Sequence, residues 1–366
     1  MGPMKSLYHR YSRRQVCFGA LATASLLSAL AVPGCKTSLM NALANDRHRP
    51  WTLGIGADPY RFLAETKSNT GVKAIAKAWA PQFLSAWLNS YDNQHGHFID
   101  WDNLYHNGQL AAWFNQGFTL HIITWENDQQ RPTGNYHISE QYLRDINKLA
   151  RYIQQVNVYQ KATYWTLATE FSYWRIPEDT YNEATANYYQ ALMRNLLKAR
   201  TIIKHYLPNA WVAPSWGGWI VTFDNPATGS GRSMIEPFGD FMKAMDGVAF
   251  QSMRPHRTGE VNANNNKPDL GNPAQILQCC RVFSRYHRSL MVSHYEPSLK
   301  EAHPNGGRAD TVAHDFLLMM RPNWLQETHQ LGLDKFSLMH YGLYKGDPYG
   351  ALTAAETFQT TLRHIL

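Results

Sequence analysis

The chain has 366 residues, 44% hydrophobic, 17% charged and 13% aromatic. That is enough apolar content for one large core, which excludes a disordered chain, a collagen-like repeat and a small disulfide scaffold. The formal charge of +7 does not point to nucleic acid, because Lys5, Arg10, Arg13 and Arg14 cluster before Cys35 with no acid among them, leaving the rest near balance.

The N-terminal segment reads as an address. A basic start, an apolar run over Val16–Pro33 and the Gly34-Cys35 ending come in the order of an export signal, which is expected over residues 1–34. Ser12-Arg13-Arg14-Gln15-Val16-Cys17-Phe18 resembles the twin-arginine export motif, and Val32-Pro33-Gly34-Cys35 resembles a bacterial lipobox. The resemblance implies a lipid on Cys35 and a protein of the periplasm or cell envelope, anchored to membrane. The alternative is an uncleaved apolar anchor. Residues 35–50 follow as a polar tether. Beyond it, only Cys279 and Cys280 remain as thiols, and neighbours within a helix read as two buried cysteines rather than a disulfide.

From Trp51 to Leu366 short apolar runs alternate with longer amphipathic ones. Strands are predicted at Trp51–Ala57, Phe83–Tyr91, Phe118–Trp125 and Thr163–Glu170, then at Trp211–Trp216, Val248–Met253, Ser289–Tyr295 and Phe336–Tyr341. Helices are predicted between them: Gly71–Trp79, Asn103–Asn115, Ser139–Val156, Thr180–Tyr206, Ser233–Met245, Pro273–Tyr286, Thr311–Leu331 and Thr353–Leu366. Strict alternation argues for a parallel sheet in the α/β class. Eight such units predict one (β/α)8 TIM barrel over 51–366. Gly54-Ile55-Gly56 lacks the third glycine of a dinucleotide loop, and no cofactor or metal-ligand motif occurs, so none is called.

In a barrel, chemistry belongs at the C-terminal strand ends. Ala168-Thr169-Glu170-Phe171 puts Glu170 at the end of the fourth strand, and His294-Tyr295-Glu296-Pro297 puts Glu296 at the end of the seventh. Glu126 ends the third. The two motifs on strands four and seven resemble those of the retaining (β/α)8 glycoside hydrolase clan, including its β-mannanase-like members. The resemblance implies that Glu170 is the acid/base and Glu296 the nucleophile. It further implies that Thr169 stands where most members carry an Asn that holds the sugar 2-hydroxyl.

Glycoside cleavage needs one protonated and one ionised carboxyl flanking the bond. Aromatic neighbours such as Trp174 would desolvate Glu170 and raise its pKa, while Tyr295 and His340 would donate to Glu296. Trp87, Trp125, Trp174, Trp216, Trp219 and Tyr341 fall at strand ends as candidate sugar platforms. In Trp216-Gly217-Gly218-Trp219 the paired glycines suggest an exposed loop. Asn89, Glu126 and Gln251 are candidate hydroxyl ligands on the same rim. The expected activity is retaining hydrolysis of a β-linked envelope or extracellular polysaccharide. A catalytically silent barrel lipoprotein that binds polysaccharide shares the aromatics and the tether, and stays open at this point.

Overall fold

Each apolar run alternates between two buried faces, one filling the inside of a closed cylinder and one meeting the surrounding helices. In the computed structural model, residues 51–56, 59–89, 97–126, 139–171, 181–223, 234–254, 261–262, 267–268, 270–297 and 307–365 are described. The barrel strands are β1 (Thr52–Ile55), β2 (Phe83–Asn89), β3 (Thr119–Trp125), β4 (Tyr164–Leu167), β5 (Trp211–Trp216), β6 (Val248–Ser252), β7 (Leu290–Tyr295) and β8 (Leu333–Leu338). They form a closed barrel. All pairings around it are parallel, and β1 meets β8 with Ile55 opposite Leu338. This is the (β/α)8 barrel that the alternation predicts.

The helices are α1 (Pro59–Ser68), α2 (Thr70–Trp79), α3 (His97–His106), α4 (Gln109–Asn115), α5 (Glu140–Val156) and α6 (Ala186–Tyr206). They continue with α7 (Ile220–Phe223), α8 (Gly239–Ala244), α9 (Gly271–Phe283), α10 (Gly307–Met319), α11 (Pro322–Gln330) and α12 (Ala351–Ile365). The longer ones follow from local chemistry. Ser139 caps α5 by accepting from the Tyr142 N–H, and Tyr142, Ile146, Leu149 and Ile153 form its buried stripe.

Several predicted boundaries move for identifiable reasons. Gly108, at a φ of 78°, splits the helix expected over Asn103–Asn115 into α3 and α4. Pro322 starts α11 and divides the one expected over Thr311–Leu331. α1 was not anticipated, and β8 begins at Leu333 rather than Phe336. Cys279 and Cys280 are both buried and unbridged, as read.

The barrel interior is layered. Its lower level holds Phe83, Ala213, Ala249 and Met291. Gly54 makes room there, since a Cβ on it would lie 1.8 Å from the Phe83 ring. Above them runs a buried polar belt. Ser337 and Ser85 hydroxyls meet at 2.8 Å, Ser85 meets His121 Nδ1 at 2.9 Å, and His121 Nε2 meets Thr166 at 2.8 Å. Burial, then the facing His294, pushes the His121 pKa well down, so the ring is neutral. Above the belt lies the mouth. Among the described residues, no helix is long and apolar enough to cross a membrane.

Candidate active site

β4 stops at Leu167, short of the predicted Glu170, because Ala168 and Glu170 adopt left-handed φ values of 53° and 58°. Side chains at such angles carry strain that the surroundings must hold. β3 supplies the hold. The Ala168 N–H donates to Thr124 Oγ1 and the Thr169 N–H to the Thr124 carbonyl, both at 3.1 Å. Thr124 Oγ1 in turn meets the Tyr142 hydroxyl of α5 at 2.7 Å. This turn drives Phe171 into the core against Trp216, with ring centroids 4.5 Å apart. It leaves Glu170 half-buried between two buried neighbours.

Burial pushes the Glu170 pKa above the ordinary carboxylate range, and a hydrogen bond from the Gln251 side chain opposes that rise. Gln251 is the penultimate residue of β6 and lies opposite His294 on β7, while Ser252 lies opposite Tyr295. The Glu296 N–H then donates to the Ser252 carbonyl at 3.2 Å, which continues the pairing one residue past β7. Glu296 itself is 6% exposed. Gln251 therefore binds Glu170 with its side chain, while its strand carries the backbone that holds Glu296. The carboxyl-bearing ends of β4 and β7 are linked through β6.

An aromatic wall flanks them. Trp87 of β2 lies 5.5 Å from Trp125 of β3 and 5.2 Å from the His294 ring, measured between centroids. The Trp87 carbonyl accepts from Trp101 Nε1 at 3.0 Å, which fixes the end of β2 on α3. A register shift between Phe250 and Gln251 brings His294 to the interior beside Ser293. Burial holds the His294 pKa down at about 3, so this ring is neutral as well.

Other expected site residues go elsewhere. Tyr295 does not donate to Glu296. Strand alternation turns it outward, and its hydroxyl donates to the buried Asp315 carboxylate of α10 at 2.8 Å. Trp216 likewise faces outward, is fully buried, and packs on Phe171, Phe238 and Phe283 instead of forming a platform. The glycines after it serve close approach and not exposure. A Cβ on Gly218 would lie 2.1 Å from the Gln251 carbonyl, and one on Gly217 would lie 2.2 Å from the Trp219 ring, which folds back over it. Glu126 is buried and accepts from both the backbone N–H and the hydroxyl of Ser139, fixing the start of α5. Tyr341 packs on Phe62 and donates to Glu65 at 3.1 Å, beside α1. His340 is exposed and its Nδ1 accepts from the Gly342 N–H. Cys35, Trp174 and the side chain of Asn89 lie outside the described residues.

His294 and the network behind β7 carry no motif that marks them in the sequence. Asn272 of α9 donates to Asp315 at 2.8 Å and accepts from the Ser252 hydroxyl at 3.0 Å and the Arg254 N–H at 2.7 Å. This knits β6 and β7 together behind Glu296. Only the bulge in β7, which no residue spacing reveals, brings His294 inside. Among the described residues, no group of three or more His, Cys, Asp and Glu side chains is placed to hold a metal ion.

No protein family and no curated protein sequence matches the chain. Among solved structures, it superposes on a glucosidase from Croceicoccus marinus with a TM-score of 0.52 and 11% identity, over 86% of this chain and 68% of that one. A family GH113 β-1,4-mannanase gives 0.49 at 10% identity, over 86% and 99%. A psychrophilic family 10 endo-β-1,4-xylanase gives 0.49 at 13%, over 85% and 98%. The glucosidase likeness establishes a shared barrel fold.

Proposed function

We propose that the protein is a retaining glycoside hydrolase acting on a β-linked envelope or extracellular polysaccharide, exported and anchored through lipid on Cys35. The observation that carries the reading is the linkage at the mouth: a desolvated Glu170 held by Gln251, on the strand whose Ser252 carbonyl holds the Glu296 N–H. The glucosidase that shares the barrel supports it.

The two carboxyls then divide the work. Desolvation favours the protonated form of Glu170, the form that donates to the departing glycosidic oxygen. Glu296 attacks the anomeric carbon as the carboxylate, forming a glycosyl ester, and Glu170 then takes a proton from the water that hydrolyses it. Two displacements return the starting anomer, and a carboxyl separation of about 5–5.5 Å is the geometry this needs.

Purified protein incubated with host-envelope polysaccharide tests the reading, with reducing ends and product anomers followed over time. Glu296→Gln is expected to lose activity by orders of magnitude while still folding and binding. Glu170→Gln is expected to lose about 10²–10⁴-fold on the polysaccharide. It should keep its first step on aryl glycosides with good leaving groups and form a β-glycosyl azide when azide is added. Undiminished turnover in both variants contradicts the assignment, and wild-type binding without turnover favours the silent barrel. For the location, Cys35→Ser should free the protein from the membrane fraction; a variant that stays bound at full length supports the uncleaved anchor.

A further inference from the structure

We infer that the N-terminal end of the barrel is a membrane-docking face, which lies on an anionic phospholipid bilayer so that the mouth opens away from the lipid. The inference rests on the anchored location proposed above and adds the orientation in which the protein is held.

Parallel strands put every helix-to-strand connection at that end, and the chain enters β1 there, at Trp51. The connections cover 80–82, 116–118, 157–163, 207–210, 245–247, 284–289 and 331–332, and all of them are described. Asp246 is the one carboxylate in these segments, and Arg200 at 2.7 Å and Lys204 at 2.9 Å occupy it. Asp334, just inside β8, is tied to Lys335. Lys161, Arg285 and Arg288 instead donate to backbone carbonyls, those of Phe114 at 3.4 Å, Val282 at 3.2 Å and Gln330 at 2.8 Å. A carbonyl satisfies a donor but neutralises no charge, so this end carries a net positive field. Lys77 and Arg363, exposed in the last turns of α2 and α12, add to it.

The connection before β4 also presents apolar surface. Val158 is 68% exposed and Tyr159 65%. Hydrogen bonds hold this tip in place. Asn157 brackets it, with Nδ2 donating to the Lys161 carbonyl at 2.7 Å and Oδ1 accepting from the Lys161 N–H at 3.0 Å. Gln160 turns the chain at a left-handed φ of 49°, and its carbonyl accepts from Asn209 of the next connection at 3.5 Å. The Lys161 ammonium lies 5.8 Å from the centre of the Tyr159 ring. A valine and a tyrosine beside a cation suit the headgroup boundary, where the ring meets apolar chains and its hydroxyl stays wet.

Charge and connectivity select a bilayer as the occupant. Lys161 leads into β4 and Arg288 into β7, with β5 and β6 between them, so the cations stand on separate sides of the barrel end. A flat anionic surface reaches both sides at once, and each cation near such a surface strengthens binding about fivefold. Cys35 precedes Trp51 by 16 residues, so an anchor at Cys35 leads into the barrel at this end.

Hydroxyl-radical labelling of the full-length protein on vesicles, read by mass spectrometry, tests this without requiring turnover. The vesicles are phosphatidylcholine with and without phosphatidylglycerol. The internal reference is Tyr349, 60% exposed between β8 and α12 at the mouth end. With phosphatidylglycerol present, labelling of Tyr159 relative to Tyr349 is expected to fall at least about fivefold. The combined change Lys161→Glu, Arg285→Glu and Arg288→Glu should restore it. If that variant does not fold, raising the salt to about 0.5 M on the wild type makes the same test by screening. Equal labelling of the two tyrosines on phosphatidylglycerol vesicles overturns the inference. So does protection of Tyr349 instead, or protection of Tyr159 that neither charge reversal nor salt relieves. The mass of the Cys35 peptide reads the anchor separately: protected Tyr159 on a chain without lipid would refute the lipid anchor alone.

Discussion

At the N-terminal end of the barrel, Lys335 is 7% exposed and its ammonium is fully engaged. It donates to Asp334 at 2.6 Å and to Ser289 at 2.9 Å, and lies 4.4 Å from the centre of the Trp211 ring. Trp211 Nε1 also donates to Ser289, at 3.0 Å. At the C-terminal end, by contrast, Gln251, His294 and Trp125 keep buried polar atoms unpaired, and Ala168 and Glu170 hold left-handed backbone angles. Both ends bury polar groups, and Lys335 and Trp211 find protein partners where Gln251 Oε1, His294 Nε2 and Trp125 Nε1 find none. Neither feature is confined to the mouth, since Trp51 Nε1 is also buried without a partner and Ala80 and Gln160 are also left-handed before β2 and β4, but at the mouth both lie beside Glu170 and Glu296.

The contrast can be broken most severely from below. Lys335→Ala leaves Asp334 half-sequestered without its partner and should cost about 3–5 kcal/mol in chemical denaturation. Activity per folded molecule should not change. A drop in kcat/KM with unchanged stability would mean that the lower end takes part in the chemistry.

A smaller effect is expected behind the mouth. Tyr295→Phe removes one of the donors to the buried Asp315 and should cost about 1–3 kcal/mol. The acid limb of the pH–rate profile should stay in place, because the Tyr295 hydroxyl does not reach Glu296. A shifted acid limb would restore the sequence expectation that Tyr295 donates to the nucleophile.

The smallest effect sharpens the comparison at Glu170. Burial raises its pKa in the folded chain, so the folded state keeps a proton that the unfolded state releases. Stability therefore falls as pH rises from the ordinary carboxylate range through the folded value. Glu170→Gln should abolish that fall, gaining stability above the window and nothing below it. A gain that is the same at all pH values would mean that relief of something other than charge burial is responsible.

The sequence made the barrel legible because every strand is a short, largely apolar run bounded by turns or amphipathic runs. The positions of Glu170, Glu296 and Gln251 at or just past the C-terminal ends of β4, β7 and β6 were legible too, since each closes or follows a short apolar run. The direction in which neighbouring residues face was not. Trp216 and Tyr295 look identical in sequence to platform and donor residues, yet alternation puts both on the helix-facing side. The Gly217-Gly218 pair reads as an exposed loop by composition, whereas its role depends on the Gln251 carbonyl that lies against it. His294 entered the interior through a bulge set by β6. These are tertiary facts, fixed by register and packing across strands far apart in the chain.

The central claim is that Glu296 attacks the sugar while Glu170 handles the proton. The most direct measurement is to incubate the protein with an activated 2-deoxy-2-fluoro β-glycoside of its preferred sugar, digest it and map the labelled peptide by mass spectrometry. The fluorine slows both steps and the good leaving group restores the first, so a glycosyl ester should accumulate. The account predicts one added glycosyl mass, on the peptide that carries Glu296, and none in Glu296→Gln. A label on any other carboxylate, or hydrolysis with inversion and no label, would contradict it.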